Sequence, residues 1–141
     1  MSMDDRLIER TLRVDSARIR AYAEATQDFN PIHLDRSFAE TTEMKGIIAH
    51  GTMSLNLIWQ SLTATFGPDR AGRATLDVRF TAPVREQDVL TSGGVRRDPE
   101  GPVFSVWVRN ADGIAVIEGT ATLDGVLQRG GDGKRSPYPQ R

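Results

Sequence analysis

Short apolar runs and polar bends alternate through the first third of the chain. Residues 7–14 contain a strand candidate, and Asp15 follows as the N-cap of a helix that ends near Thr26. An Asn-Pro pair within residues 27–34 disfavours helix there and predicts an ordered loop. A short helix is expected over about residues 37–42.

A long apolar stripe begins at Gly51. Apolar residues recur there at intervals of three and four, which is the spacing of one helix face. The members of this stripe are Met53, Leu55, Leu57, Ile58, Trp59, Leu62 and Phe66. The pattern predicts one long helix that is mostly buried.

After the Gly-Pro pair at residues 67–68 the apolar spacing changes from helical to alternating. Residues 74–81 predict a strand that is buried on one face, with these side chains inward: Ala74, Leu76, Val78 and Phe80. Three further strand candidates occupy residues 89–97, 103–109 and 114–123, joined by the turn sequences DPEG and NADG. We expect an antiparallel meander of about four strands, and hence an α+β fold with the sheet packed on the long helix.

Charge and composition exclude several classes of function. The 18 basic and 19 acidic side chains nearly cancel, so no overall field draws the protein to nucleic acid or to an anionic membrane. The chain has no cysteine and two histidines, which argues against a disulfide framework and against a metal site. The charged N-terminus and the lack of a membrane-length apolar run predict a soluble, cytoplasmic protein.

The C-terminal end differs from the rest in composition. With 141 residues the chain has the usual length of one domain. Residues 128–141, QRGGDGKRSPYPQR, are too poor in apolar side chains to offset the entropy of ordering them. We therefore expect a single domain over residues 1–127 and a disordered tail over residues 128–141.

Two motifs in the first half of the chain carry a family resemblance. Residues 22–33 read YAEATQDFNPIH, in which Asp28 is followed by an Asn-Pro pair and His33. This arrangement resembles the hydratase signature of the MaoC-like family. Residues 47–51, IIAHG, resemble the family's second motif, an aliphatic run ending in His-Gly at a helix start. The resemblance, which extends over about residues 7–124, implies a hot-dog fold, an antiparallel sheet wrapped around a long central helix.

The same residues suit one reaction. Hydrating an enoyl thioester needs an activated water, a proton delivered to C2 and stabilisation of the enolate oxygen. Asp28 and His33 lie five residues apart across a Pro-bent loop, so a carboxylate and an imidazole can turn toward one water. Gly51 at a helix start offers backbone N–H groups as oxyanion donors. Asn30 is expected to support the loop through its side chain. The resemblance assigns the catalytic roles to Asp28 and His33 and implies an (R)-specific enoyl-CoA hydratase, which forms the (3R) alcohol.

Further expectations follow from the resemblance. Coenzyme A enters as part of the substrate, no other cofactor is needed, and no metal is expected. Two copies are expected to pair their sheets side by side as a homodimer or a dimer-based oligomer, because a lone sheet leaves its edges open. Many family members carry Gly directly before the catalytic Asp, whereas this chain carries Gln27, which leaves the loop shape and substrate choice open.

Other interpretations stay open. Asp28 could instead cap a turn, and His33 could be a structural histidine, as we expect for His50. The substrate could be an acyl-carrier-protein thioester or a branched or dicarboxylic acyl-CoA, or the protein could be a noncatalytic acyl-binding subunit. A hot-dog thioesterase usually places a carboxylate on the central helix, and residues 51–66 contain neither Asp nor Glu.

Overall fold

The computed structural model describes residues 5–123. The tail predicted for residues 128–141 lies outside the described residues. The helices and strands, in chain order, are β1 (Arg10–Arg13), α1 (Ser16–Thr26), α2 (Pro31–Leu34), α3 (Arg36–Glu40), α4 (Gly51–Phe66), α5 (Pro68–Gly72), β2 (Thr75–Phe80), β3 (Val89–Arg96), β4 (Val103–Arg109) and β5 (Ala115–Thr122). None of the helices in this part of the chain is long and apolar enough to cross a membrane.

The long helix α4 forms the centre of the core. Its residues Leu57, Ile58 and Leu62 are at most 1% exposed, and the helix packs against β1, β3 and β4. Sheet residues such as Phe104 and Val106 are buried beneath it. Burying these side chains supplies the main free energy of folding, because apolar surface leaves water. The predicted α+β class, with an antiparallel sheet packed around one central helix, is confirmed.

The five strands form one antiparallel sheet in the order β1-β3-β4-β5-β2. The predicted continuous meander is therefore wrong at β2, which pairs with β5 rather than with β3. The cause lies in residues 81–88, which do not form a tight turn. Along this connection the carbonyl of Val84 accepts the N–H of Ala49 at 2.8 Å, and that of Asp88 accepts the N–H of Val14 at 2.8 Å. The connection thus crosses to the far edge of the sheet before β3 begins.

Two proline-containing segments form short helices that the sequence did not predict. The segment expected to be a loop contains α2, and α5 follows directly after Gly67; both begin with proline. Proline fits the first turn of a helix because its missing N–H has no acceptor there. The expected burial of Phe80 is also wrong, since this side chain at the end of edge strand β2 lies beside Gly51 of α4 but is 56% exposed.

Candidate active site

The structure brings three titratable side chains together between α1 and α4. The side-chain oxygen or nitrogen atoms of Asp28, His33 and His50 lie within 4.8 Å of one another. Asp28 is exposed, His33 is half-buried and His50 is only 3% exposed. The two residues predicted as an acid/base pair are therefore neighbours, and His50 joins them from below the surface.

Helix α1 ends in a conformation that positions Asp28. Gln27, the residue where many family members carry glycine, has φ 59° and ψ 33°, in the left-handed region that favours glycine. Its side-chain amide donates to the carbonyl of Glu24 at 2.8 Å, and the N–H of Asp28 donates to the carbonyl of Ala23 at 3.0 Å. These hydrogen bonds hold Gln27 in a backbone geometry that costs most side chains free energy.

Asn30 and Asp28 both bond to the backbone of the following turn. Asn30 Oδ1 accepts the N–H of Ile32 at 3.0 Å and caps the start of α2, which is a contact of the kind expected for loop support. Asp28 Oδ1 accepts the N–H of Asn30 at 3.3 Å. The carboxylate thus makes one long hydrogen bond within the turn, which is also the contact expected if Asp28 only caps a turn. Its second oxygen is available to a ligand.

The hydrogen bond of His33 fixes which ring nitrogen carries the proton. Its Nδ1 lies 2.8 Å from the carbonyl oxygen of Ile48. A carbonyl can only accept, so Nδ1 carries the hydrogen and Nε2 of the neutral ring has a free lone pair. His33 is therefore held in the tautomer that a general base requires.

His50 connects the backbone of Asp28 to the ring of His33. Its Nε2 donates to the carbonyl oxygen of Asp28 at 3.1 Å, and its ring stacks on that of His33 with the centroids 3.8 Å apart. Tyr22 packs on His50, with the two ring centroids 5.0 Å apart, and its hydroxyl donates to Thr52 Oγ1 at 2.5 Å. His50 Nδ1 is buried without a hydrogen-bond partner in the described part of the chain.

The same three groups also meet the first requirement of a metal site. Carboxylate and imidazole are common metal ligands, and their atoms are close enough together. A metal, however, binds imidazole in the plane of the ring, and the rings of His33 and His50 stack at an interplanar angle of 27°. The two stacked rings lie in nearly parallel planes, and one nitrogen of each already bonds a backbone carbonyl, so the arrangement suits proton transfer better than coordination.

The start of α4 lies beside this cluster. His50 occupies the N-cap position but makes no side-chain cap hydrogen bond, and the first bond at this end runs from the N–H of Met53 to the His50 carbonyl at 3.1 Å. The preceding N–H groups have no partner within the helix, and the helix dipole adds partial positive charge here. A Cβ added at Gly51 would lie 3.0 Å from Phe80 Cε1, so glycine permits the phenyl ring to approach the backbone.

A cavity of about 360 Å³ opens beside Gly51. Its wall is formed by Met44, Ile48 and Ala49, the first turn of α4, the end of β2 with the residues after it, and two residues of β5, Val116 and Ile117. Ser54 lines it too, a residue for which sequence reasoning predicted no separate role. The sequence did contain a signal for Ser54, because its hydroxyl interrupts the apolar stripe about one helical turn after Gly51. A larger groove of about 610 Å³, beside Trp59, contains none of the predicted site residues.

Comparisons with known proteins place the chain among acyl thioester enzymes. Residues 3–100 match the family model described as a MaoC like domain. An (R)-specific enoyl-CoA hydratase from Rhodospirillum rubrum is 31% identical over 114 residues, covering 78% of this chain and 78% of the relative. An (R)-specific enoyl-CoA hydratase from Aeromonas caviae is 31% identical over 119 residues, covering 79% of this chain and 86% of the relative.

Solved structures share the architecture. The (R)-hydratase of Aeromonas caviae superposes with a TM-score of 0.72 at 22% identity, covering 87% of this chain and 96% of that one. The unliganded R-hydratase of Pseudomonas aeruginosa superposes with a TM-score of 0.70 at 28% identity, covering 87% and 81%. The hot-dog fold expected from the sequence is confirmed.

Proposed function

Because the chain belongs to the MaoC-like domain family, we propose that it is an (R)-specific enoyl-CoA hydratase. Such an enzyme adds water across the 2,3 double bond of an enoyl thioester, or removes it in the reverse direction. One observation carries the assignment in this molecule. Asp28 and His33 are neighbours, His33 is held in the tautomer of a base, and an uncapped helix start lies beside them.

The acid/base pair accounts for both proton transfers. We assign to Asp28 and His33 the binding of one water, whose proton they accept as its oxygen bonds to C3. The pair then returns a proton to C2, so that the elements of one water are added and no other reactant is consumed. Side-chain acid and base suffice for this chemistry, and the proposal includes no cofactor beyond the coenzyme A of the substrate.

The start of α4 supplies the remaining requirement. Negative charge develops on the thioester oxygen when water adds to C3. An N–H donor at Gly51 would stabilise that charge without reorganising, because its position is set by the helix. Phe80 lies over this glycine and lines the adjoining cavity, so we place the first carbons of the acyl chain against its ring.

Hydration of crotonyl-CoA tests the proposal directly. The enone absorbance should decrease with time when the purified protein is added, and chiral analysis should identify the (3R)-hydroxybutyryl thioester. A product of (3S) configuration, or no loss of absorbance at micromolar protein, would contradict the proposal. An acyl-carrier-protein thioester and a branched or dicarboxylic acyl-CoA, assayed in parallel, would identify the carrier and chain that the enzyme prefers.

Two other functions have less support. A noncatalytic acyl-binding subunit has no need of an acid/base pair, yet both members are present and adjacent. A hot-dog thioesterase would need a carboxylate on α4, which contains neither Asp nor Glu. The same crotonyl-CoA assay separates these alternatives, because hydrolysis releases free thiol while hydration does not.

The proposal also includes assembly as a homodimer in the cytoplasm. The outer edge of β2 has no partner strand in the described residues, and Phe80 at its end is 56% exposed. An open edge of this kind invites pairing with a second copy. Sedimentation should give twice the monomer mass at micromolar concentration. Monomer alone at that concentration would exclude the dimer.

A further inference from the structure

The cavity beside Gly51 has one feature that a purely hydrocarbon chain does not explain. Ser54 lines it, is 1% exposed, and its Oγ has no hydrogen-bond partner in the described part of the chain. Leaving a buried hydroxyl without a partner costs free energy, and most buried polar groups in proteins are paired. Because Ser54 borders the cavity, rotation of its side chain can turn the buried hydroxyl toward a partner that arrives with the ligand.

The rest of the wall gives no competing partner. Every other side chain that lines the cavity is apolar, apart from glycine and Thr81. The hydroxyl of Thr81 already donates to the carbonyl of Ala115 at 2.8 Å. No charged residue lines the cavity among the described residues, so a carboxylate entering it would lose its hydration without gaining a counter-ion.

The position of Ser54 fixes where along a substrate this partner would lie. Ser54 follows Gly51 by three residues on the same helix, which corresponds to a rise of about 4.5 Å along the axis. A thioester held at Gly51 therefore brings the middle of a short acyl chain to Ser54. The hydroxyl can rotate among three staggered positions to meet it.

We propose that this cavity selects enoyl thioesters whose acyl chain carries a neutral oxygen a few bonds beyond the double bond, and that Ser54 donates a hydrogen bond to it. An ether, hydroxyl or carbonyl oxygen fits this description, and a carboxylate does not. The inference rests on the proposed hydratase function and deepens it by naming a class of substrate. Ser54 acts here as a specificity-determining residue and takes no part in proton transfer.

An isosteric pair of substrates tests the inference. trans-2-Hexenoyl-CoA and trans-4-methoxy-2-butenoyl-CoA have the same chain length and differ by one methylene replaced with oxygen. We expect the ratio of kcat/KM for the methoxy substrate to that for the hexenoyl substrate to fall about tenfold in Ser54→Ala, the effect of one hydrogen bond. Ser54→Cys, which keeps a weak donor of similar size, should lie between and serves if the alanine variant folds poorly.

The matched control is Ser61→Ala on the same helix. Ser61 is also buried, but its hydroxyl is paired with Ser92 at 2.6 Å and the residue does not line the cavity. Its substitution should leave the ratio unchanged. A wild-type protein that hydrates crotonyl-CoA but keeps the same ratio in Ser54→Ala and Ser54→Cys overturns this inference alone. A wild-type protein that hydrates none of the three substrates overturns the proposed function together with it.

Discussion

The two ends of α4 differ in whether their buried polar groups are hydrogen-bonded. Toward its C-terminal end, Ser61 and Ser92 are both fully buried, their hydroxyls lie 2.6 Å apart, and Ser92 also donates to the carbonyl of Leu57 at 3.0 Å. At the N-terminal end, His50 Nδ1 and Ser54 Oγ are buried without a partner in the described residues. One helix thus contains a satisfied polar contact and an unsatisfied one.

The difference separates stability from function. A paired hydroxyl between helix and sheet fixes their relative position, and its hydrogen bonding is satisfied without a ligand. Unpaired groups in a folded protein need another explanation, and here one belongs to the histidine beside the acid/base pair and the other to a residue that lines the cavity. Substitutions near the C-terminal end of α4 should therefore change the free energy of unfolding. Substitutions at its N-terminal end should change the turnover of substrate.

The largest effect is expected at the acid/base pair. Asp28→Asn retains an oxygen for the N–H of Asn30, and His33→Asn retains an amide N–H that can reach the Ile48 carbonyl. Both variants, and His33→Ala, should lose on the order of 10²- to 10⁴-fold in crotonyl-CoA turnover, because general acid/base catalysis is removed. Circular dichroism and the thermal midpoint provide the folding control. A loss below threefold in a folded variant would contradict the role of that residue.

The next largest effect is expected at Gly51. Gly51→Val places a branched Cβ where the thioester should approach the backbone, and turnover should fall about 10²- to 10³-fold, the effect of an oxyanion donor. The new side chain also displaces the Phe80 ring, because Cβ would lie 3.0 Å from Cε1.

The Gly51→Val/Phe80→Ala double variant separates these two causes. If loss of the oxyanion contact is responsible, the double variant should be as slow as Gly51→Val, since the obstruction at the backbone remains. Recovery of turnover to that of Phe80→Ala alone would assign the loss to the ring, and a folded Gly51→Val with nearly wild-type turnover would rule out the oxyanion role.

A moderate effect on stability is expected at the paired end of the helix. Ser92→Ala leaves Ser61 without its hydroxyl partner and should lower the free energy of unfolding by about 1–3 kcal/mol, measured in urea. Turnover per folded molecule should not change. Ser54→Ala is the comparison, because it removes a hydroxyl that has no partner, and it should cost clearly less stability. Equal losses in the two variants would remove the contrast between the ends of α4.

The smallest effect is expected far from both ends, at the N-cap of α1. Hydrogen bonding from the backbone N–H of Arg18 holds the pKa of the half-buried Asp15 carboxyl below its usual value, and the Arg18 guanidinium adds to this. A lowered pKa means that the ionised carboxylate stabilises the fold. This contribution is present above the unfolded-state pKa and is lost as the pH falls through the folded-state pKa.

Replacement of Asp15 tests that assignment. Asp15→Asn keeps a capping oxygen and should abolish this component of the pH dependence, whereas Asp15→Ala should also lower the thermal midpoint slightly at neutral pH. Turnover of crotonyl-CoA should be unaffected in both. A pH dependence of unfolding that is unchanged in Asp15→Asn would show that the carboxylate contributes nothing measurable.

The sequence alone determined the long helix, the later strands and the candidate acid/base pair. Apolar spacing predicted α4 and the four later strands because this signal depends on neighbours three, four or two residues apart. Asp15 was predicted as an N-cap from its position before the helix and is observed as one. Asp28 and His33 were found because both lie within one short motif, so their spacing is visible along the chain.

The tertiary structure alone decided which elements meet. The placement of β2 beside β5, the contact of His50 with the Asp28 carbonyl, and the position of Phe80 over Gly51 each join residues that are distant along the chain. Local periodicity carries no information about such contacts, because they depend on how the helix and sheet pack. The unpaired hydroxyl of Ser54 is the clearest case, since only the packed structure shows that this serine lines a cavity and that its hydroxyl has no hydrogen-bond partner among the described residues.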